Sequence, residues 1–250
     1  MYNISGDNMF IRIADLNIKI NRKYGFVDYL AKDYIIDEPN SIDIEVEATD
    51  EDIKNEPVPD DPNYIFPDWY LEALVVYRKI SKELPKFNAF LLHGASFKID
   101  DNAFVLCAKS GVGKSTHAML LQKYLKDRFI WINGDKPIVR FFDNIPYIYG
   151  TPWCGKEFYQ TNTKAICKAI GFIERSETNF VEEVDKGKVF EKLIYQIPLE
   201  SDIEKQNKLF ELYNNFINYI DSYVIHCNMD DSAAVTTYEN IISKYEKRAN

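Results

Sequence analysis

Apolar positions at the start of the chain recur every second residue. Ile11 and Ile13 flank Arg12, while Leu16, Ile18 and Ile20 alternate with Asn17 and Lys19. A period of two is that of a half-buried strand, so residues 9–20 read as a strand pair with Ala14-Asp15 as its turn or bulge. Ile42, Ile44 and Val46 alternate with Asp43, Glu45 and Glu47 in the same way. The first fifty residues are therefore expected to be β-rich, with one face buried and one charged. Residues 50–63, "DEDIKNEPVPDDPN", are acidic and proline-containing and read as an exposed connection. The period then lengthens: Leu71, Leu74 and Val75 fit a helix that Asp68 can cap and Pro85 ends.

From residue 89 short apolar runs alternate with turn signals. "AFLLHGASFKI" and "NAFVLCA" are strands joined through Asp100-Asp101-Asn102. "THAMLLQKYLKD" is helical, "FIWIN" a buried strand, and "PIVRFF" with "IPYIYG" a hairpin turning at Asp143-Asn144. "KAICKAIGFIER" reads as a strand, residues 201–220 as an amphipathic helix, and "DSYVIHC" as a strand. Residues 230–247 form a last helix that Asp230 or Asp231 can cap. Hairpins mixed with strand–helix units predict an α/β protein with a mixed sheet rather than a fully parallel one. The expected division is a β-rich N-terminal lobe over residues 1–88, with the acidic loop and a linking helix, and an α/β core over 89–250.

Composition narrows the function classes. The chain has 250 residues, is 46% hydrophobic and contains 17 Tyr and 16 Phe, enough for a large core and against disorder. Its 30 Lys and Arg against 39 Asp and Glu give a net charge of −9, unfavourable for nonspecific binding to nucleic acid or an anionic membrane. No run of 18 apolar residues occurs, and the N-terminus lacks a secretion pattern. Cys107, Cys154, Cys167 and Cys227 are scattered, without the spacing of a zinc site, and suit free thiols in a reducing cytoplasm.

The chemistry centres on "AKSGVGKST", residues 108–116. Ala108 to Ser115 fits the pattern of a small residue, four residues, then Gly-Lys-Ser, and a predicted strand enters it while a predicted helix leaves it. Gly111 and Gly113 permit a tight bend whose N–H groups converge on phosphate oxygens, and a helix N-terminus adds partial positive charge. The backbone from Ser110 through Gly111, Val112 and Gly113, with Lys114, Ser115 and Thr116, is thus the candidate ATP-binding element. Lys114 is expected to reach the β- and γ-phosphates and Ser115 to ligate Mg2+. The competing reading is a strand–turn–helix with an incidental lysine. Asp135 comes just after the strand "FIWIN" and is expected at the carboxyl edge of the sheet, where a carboxylate can hold Mg2+ or orient an attacking hydroxyl. Asn133-Gly134-Asp135 is also a plain turn sequence. His93 ends a strand before Gly94 and, taken alone, reads equally as structural.

Taken in order, "LLHGASFKIDDNAFVLCAKSGVGKST" and "INGDKP" resemble HPr kinase/phosphorylase and, more distantly, ATP-dependent phosphoenolpyruvate carboxykinase. "YGTPWCGKE" is similar to a stretch in small bacterial proteins related to these kinases. The resemblance spans residues 89 to about 175 and, loosely, the C-terminal third. It implies that His93 lies near the γ-phosphate and assists transfer, and that Asp135 is Mg2+ ligand or general base. HPr kinase carries two consecutive acids here, whereas this chain has Gly134-Asp135, which weakens the reverse, phosphorolytic reaction most. Where the related enzymes use an arginine to neutralise the transferring phosphoryl group, Lys156 is the candidate, with Glu157 beside it and Arg175 competing for the role. An exposed Lys-Glu pair is the plain alternative. Trp153 can pack the loop or contact substrate. Cys154 lacks an evident base to make it a nucleophile. His117 reads as facing solvent or packing rather than reacting, and His226 as structural.

The expected function is an ATP-dependent kinase that transfers the γ-phosphate to a hydroxyl of a protein, peptide or small-molecule acceptor. The alternative is an ATP-binding regulatory module without transfer chemistry. A carboxykinase is disfavoured, because no arginine-rich carboxylate pocket is evident. A homo-oligomer is implied by resemblance alone.

Overall fold

Two of the predicted hairpins turn where side chains rarely permit it. Ala14 and Asp15 have φ of 52° and 58°, and Asp143 and Asn144 have φ of 50° and 63°. Two consecutive left-handed residues make the tight turn whose twist matches that of antiparallel strands. The computed structural model describes residues 8–57, 65–109, 111–196 and 202–246. It divides the chain into two units, Met1–Phe87 and Asn88–Asn250.

In the first unit β1 (Asn8–Ile13) and β2 (Leu16–Asn21) form the first of these hairpins. After α1 (Phe26–Ala31), β3 (Ile44–Glu47) joins the far side of β2 in parallel. Ile11, Ile13, Leu16, Ile18, Ile20, Ile44 and Val46 are buried on one face, as the alternation requires, whereas Ile42 precedes β3 and is exposed. The acidic stretch departs from its expected loop. Asp50–Lys54 form a helix, α2, started by a capping box in which Thr49 accepts from the Asp52 amide and Asp52 accepts from the Thr49 amide. Helix α3 (Asp68–Glu83) comes next, with Pro67 rather than Asp68 at its N-cap, and a 3-10 turn over Leu84–Phe87 closes it. Its fully buried Glu72 accepts hydrogen bonds from the backbone of Lys23 (2.6 Å) and Tyr24 (3.0 Å) just ahead of α1.

The second unit runs β4 (Ala89–Leu91), β5 (Ala95–Ile99), β6 (Asn102–Cys107), α4 (Lys114–Leu125), β7 (Ile130–Asn133), β8 (Ile138–Phe142), β9 (Ile145–Tyr149), β10 (Lys164–Arg175), β11 (Phe180–Glu183), α5 (Lys186–Leu193), α6 (Ile203–Tyr219), β12 (Asp221–Cys227) and α7 (Asp231–Asn240). The strand order is β4-β8-β9-β10-β6-β5-β7, with β12 and then β11 beside the later half of β10. Only β6, β10 and β12 run parallel to one another; the remaining pairings are antiparallel. The sheet is mixed, as the alternation of hairpins and strand–helix units predicts. Helices α5 and α6 cover one face through Val189, Leu193, Leu212 and Phe216, and α4 and α7 cover the other through Ala118, Leu121, Ala233 and Ala234. The final helix is shorter than residues 230–247 and continues as a 3-10 turn over Ile242–Tyr245.

One irregularity in β10 sets the direction of its last side chains. Its register with β6 slips between Cys167 and Ala169. A bulge adds a residue and exchanges the faces of every side chain beyond it. Ala165 and Cys167 lie in the α5/α6 core; after the slip it is Ile170 and Phe172 that do, while Ala169 and Ile173 turn to the α4/α7 side.

Candidate functional site

Three segments meet at one end of the second unit. The first is the strand break at residues 92–94, the second the connection from β6 into α4, and the third the connection after β7. The first and third are laced together: Leu92 donates its amide to Pro137 O (3.0 Å) and Gly94 donates to Asp135 O (3.0 Å). Gly94 leaves no room for a side chain, since a Cβ there would stand 2.7 Å from Val105 Cγ1. This lacing brings the His93 ring to Asp135, with Nε2 3.1 Å from Oδ1. Lys114, in the first turn of α4, places Nζ 3.5 Å from the same oxygen.

Asp135 is held by a buried frame. The Oδ1 atom of Asn133, which is fully buried, accepts from the amides of Asp135 (2.8 Å) and Lys136 (2.6 Å). Its Nδ2 donates to Thr151 O (2.9 Å) and approaches Thr151 Oγ1 (3.0 Å), while Thr151 Oγ1 donates to Lys136 O (2.8 Å). The turn after β9 closes over this frame. Gly134 donates to Tyr159 O (2.8 Å), and Gly155, at φ 83°, approaches so closely that a Cβ on it would lie 3.3 Å from Asp135 Cβ. On the other side the His93 amide donates to Gln196 Oε1 (3.0 Å), and the His93 carbonyl accepts from Cys107 Sγ (3.4 Å).

Burial alone would push the Asp135 carboxyl up. The hydrogen bond from His93 and the positive charges of Lys136 and Lys114 outweigh it and hold the group at about 2. Asp135 is therefore a carboxylate throughout the neutral range, gathered with two cations and an imidazole.

The connection into α4 has the backbone its glycines allow. Gly111 has φ 75° and Gly113, the N-cap, φ 124°. A Cβ on either would meet nothing within 4 Å, so the glycines serve the bend's conformation rather than close packing. Val112 N donates to Lys109 O (3.2 Å) and His117 N to Gly113 O (2.9 Å). Ser115 is half-buried in the first turn of α4 and Thr116 is exposed. Ser110 lies outside the described residues.

The structure thus gathers Lys114, Asp135 and His93 at the mouth of the glycine bend. Lys156 and Glu157 are exposed on the turn after β9, the Glu157 carboxylate within 3.6 Å of where a Gly155 Cβ would stand. Arg175 reaches the bend itself: Nε donates to Val112 O (3.1 Å) and Nη2 to Gly111 O (2.5 Å). Among the described residues no group of three or more His, Cys, Asp or Glu is arranged to hold a metal ion. A divalent cation at Asp135 would need most of its ligands from phosphate oxygens and water, which suits Mg2+.

The remaining candidates are structural. Burial, with Asp135 and Glu157 nearby, pushes the Cys154 thiol up to about 11, so it is not a ready nucleophile. Burial pushes Cys107 up to about 12. His226 stacks on Phe180 (centroids 4.2 Å apart) with Nε2 3.1 Å from Glu182 Oε2, joining β12 to β11. His117, in the first turns of α4, is buried with Nε2 2.8 Å from Thr237 Oγ1 on α7. Burial lowers its pKa to about 4. The folded ring thus resists protonation more than the unfolded one, so its contribution is complete above about pH 6.5 and is lost as pH falls toward 4. Thermal unfolding across that window is expected to show a loss of about 2–3 kcal/mol that His117→Gln does not show.

Asn133 and Gln196 carry the site's frame but no motif announces them. Asn133 sits in a turn-like Asn-Gly-Asp, where burial of the side chain is the missing signal. Gln196 lies 103 residues from its partner His93, too far for any local pattern to connect them.

No protein-family model matches the chain, and no curated protein matches it. Among solved structures, the HPr(Ser) kinase/phosphatase from Coxiella burnetii matches over 62% of this chain and 99% of its own, with 9% identity and a TM-score of 0.34. A match of that score carries no weight for this chain, whose chemistry rests on its own residues. No helix among the described residues is long and apolar enough to cross a membrane.

Proposed function

We propose that the chain is an ATP-dependent phosphotransferase that passes a phosphoryl group to a hydroxyl of a protein, peptide or small-molecule acceptor. One observation carries the reading. An open glycine bend at a helix N-terminus stands beside a lysine, an ionised carboxylate and an imidazole that share one oxygen, Asp135 Oδ1. Bound MgATP would supply the electrophilic phosphorus and the metal charge. The chain's own groups then have distinct tasks. The backbone from Ser110 through Val112 to Gly113 and the first turn of α4 cradle the anionic tail, the Gly113 amide donating while the Val112 amide stays on Lys109 O, with Thr116 at its edge. Lys114 leaves Asp135 for the phosphates, and Ser115 and Asp135 hold Mg2+.

His93 orients Asp135 and would assist transfer beside the γ-phosphate. Lys156 is the candidate for charge neutralisation from the turn after β9, because Arg175 is committed to backbone carbonyls. Four buried free thiols support a reducing compartment such as the cytoplasm. A homo-oligomer stays part of the proposal on resemblance alone.

A single carboxylate at the centre favours one other reading, a nucleotide-binding module without transfer chemistry. Purified protein incubated with Mg2+, γ-labelled ATP and cell extract separates the two. Label on an acceptor, or steady ADP release, supports the phosphotransferase. Tight MgATP binding with neither product would leave the module, and no binding at all would remove both.

A further inference from the structure

We propose that Arg175 is a positioning residue that presets the glycine bend for phosphate by holding its carbonyls outward. The proposal rests on the nucleotide reading and gives that site a part of its machinery. The sheet explains how Arg175 comes to be there. β6 ends at Cys107, opposite Phe172, but β10 runs three residues further because β12 pairs with it as far as Arg175 opposite Cys227. The last residues of β10 thereby pass alongside the bend that leads from β6 into α4. The bulge between Cys167 and Ala169 decides the side. Without it, residue 175 would share a face with Ala165 and Cys167 and point toward α5 and α6; with it, residue 175 joins Ala169 and Ile173 on the face of α4.

On that face the guanidinium meets two successive carbonyls. Nη2 donates to Gly111 O at 2.5 Å and Nε to Val112 O at 3.1 Å. A planar fork is suited to two acceptors at once, which a single ammonium matches less well. In a trans peptide the N–H points opposite to the C=O. Fixing Val112 C=O on Arg175 therefore turns the Gly113 N–H the other way, and fixing Gly111 C=O does the same for the Val112 N–H, which closes the bend onto Lys109 O. The need is real, because glycine has the most backbone freedom of any residue, and a Cβ on Gly111 or Gly113 would meet nothing within 4 Å. Freedom lost only when the ligand arrives subtracts from affinity; freedom removed beforehand does not.

Two measurements test this. Titration of MgADP into the wild-type protein, Arg175→Ala and Arg175→Lys should show binding weakened about tenfold in Arg175→Ala and less in Arg175→Lys, with the melting temperature almost unchanged. In the ligand-free proteins, 15N relaxation should show order parameters at Val112 and Gly113 near those of rigid backbone in the wild type, dropping below about 0.6 in Arg175→Ala. Unchanged affinity or an unchanged bend in Arg175→Ala would overturn the clamp while leaving the nucleotide site standing. Absence of MgADP binding to the wild-type protein would instead sink the nucleotide reading, and the clamp's purpose with it.

Discussion

Replacing Lys114 by alanine is expected to lower MgATP-dependent turnover by about 10²–10³-fold, the scale of removing one preorganised donor to developing negative charge. The ligand-free geometry already indicates why the effect should be large. The Lys114 side chain is only 14% exposed, and its ammonium stands 3.5 Å from Asp135 Oδ1. It starts in the first turn of α4, where the helix N-terminus adds to its field. A triphosphate entering the bend offers it several more negative oxygens than the single carboxylate it leaves. Alanine removes the charge and leaves the bend itself, so the loss should appear in both nucleotide affinity and transfer. Lys114→Arg should not restore turnover, because a planar fork cannot take the place of a compact ammonium. Steady-state ADP release, with calorimetric titration of MgADP, measures both parts. Wild-type turnover in Lys114→Ala would mean that the phosphates bind elsewhere.

How far such a site can be read from a sequence depends on how local its determinants are. The glycine bend is local: two glycines, the lysine after them and the strand and helix around it lie within about twenty residues, and the structure keeps them in that order. The hairpins at Ala14-Asp15 and Asp143-Asn144, and the mixed character of the larger sheet, are legible for the same reason. The proximity of His93 to Asp135 is not local. It depends on Gly94 and Leu92 hydrogen bonding to residues 135 and 137, a pairing that no period encodes. The task of Arg175 depends on one residue of slippage in β10, and alternation read across that slip assigns the side chain to the wrong face.

Other features escape a reading by period although a signal exists. The capping box Thr49-x-x-Asp52 starts α2, but the prolines and charges beyond it suggest a loop throughout. β11 and α5 lie in a polar stretch whose apolar positions are too few to show a period. Phe180 and Val181 precede two glutamates on an edge strand, and Val189 and Leu193 alone are buried in α5.

Asp135→Asn should separate binding from chemistry. Asparagine keeps the size of the side chain and an oxygen that can accept from His93, but not the charge. Lys114 and Lys136 lose a negative neighbour and remain positive. The nucleotide phosphates then meet less repulsion, which offsets the loss of one Mg2+ ligand, so MgADP affinity should stay within about threefold of wild type. Transfer should fall by about 10²–10⁴-fold, the range ascribed to a positioned acid or base.

The pH behaviour sharpens the assignment. With its carboxyl at about 2, Asp135 is a weak base in the ligand-free protein, too weak to draw a hydroxyl proton efficiently near neutrality. Its effect must come from orienting the hydroxyl and holding Mg2+, or from a rise in basicity once Lys114 moves to the phosphates. In the first case kcat has no acid limb from this group above about pH 4; in the second a limb appears in kcat that is absent from kcat/KM.

Stability gives an independent reading of the same carboxylate. A depressed folded-state pKa stabilises the fold above about pH 3.8 and ceases to as pH falls toward 2. Allowing for partial exposure, Asp135→Asn should cost about 1–2 kcal/mol at pH 7 and nearly nothing at pH 2. A variant that loses this stability yet transfers phosphate at the wild-type rate would make Asp135 a structural member of the ion cluster. The reacting acid would then have to be sought on the neighbouring turn, which carries Glu157.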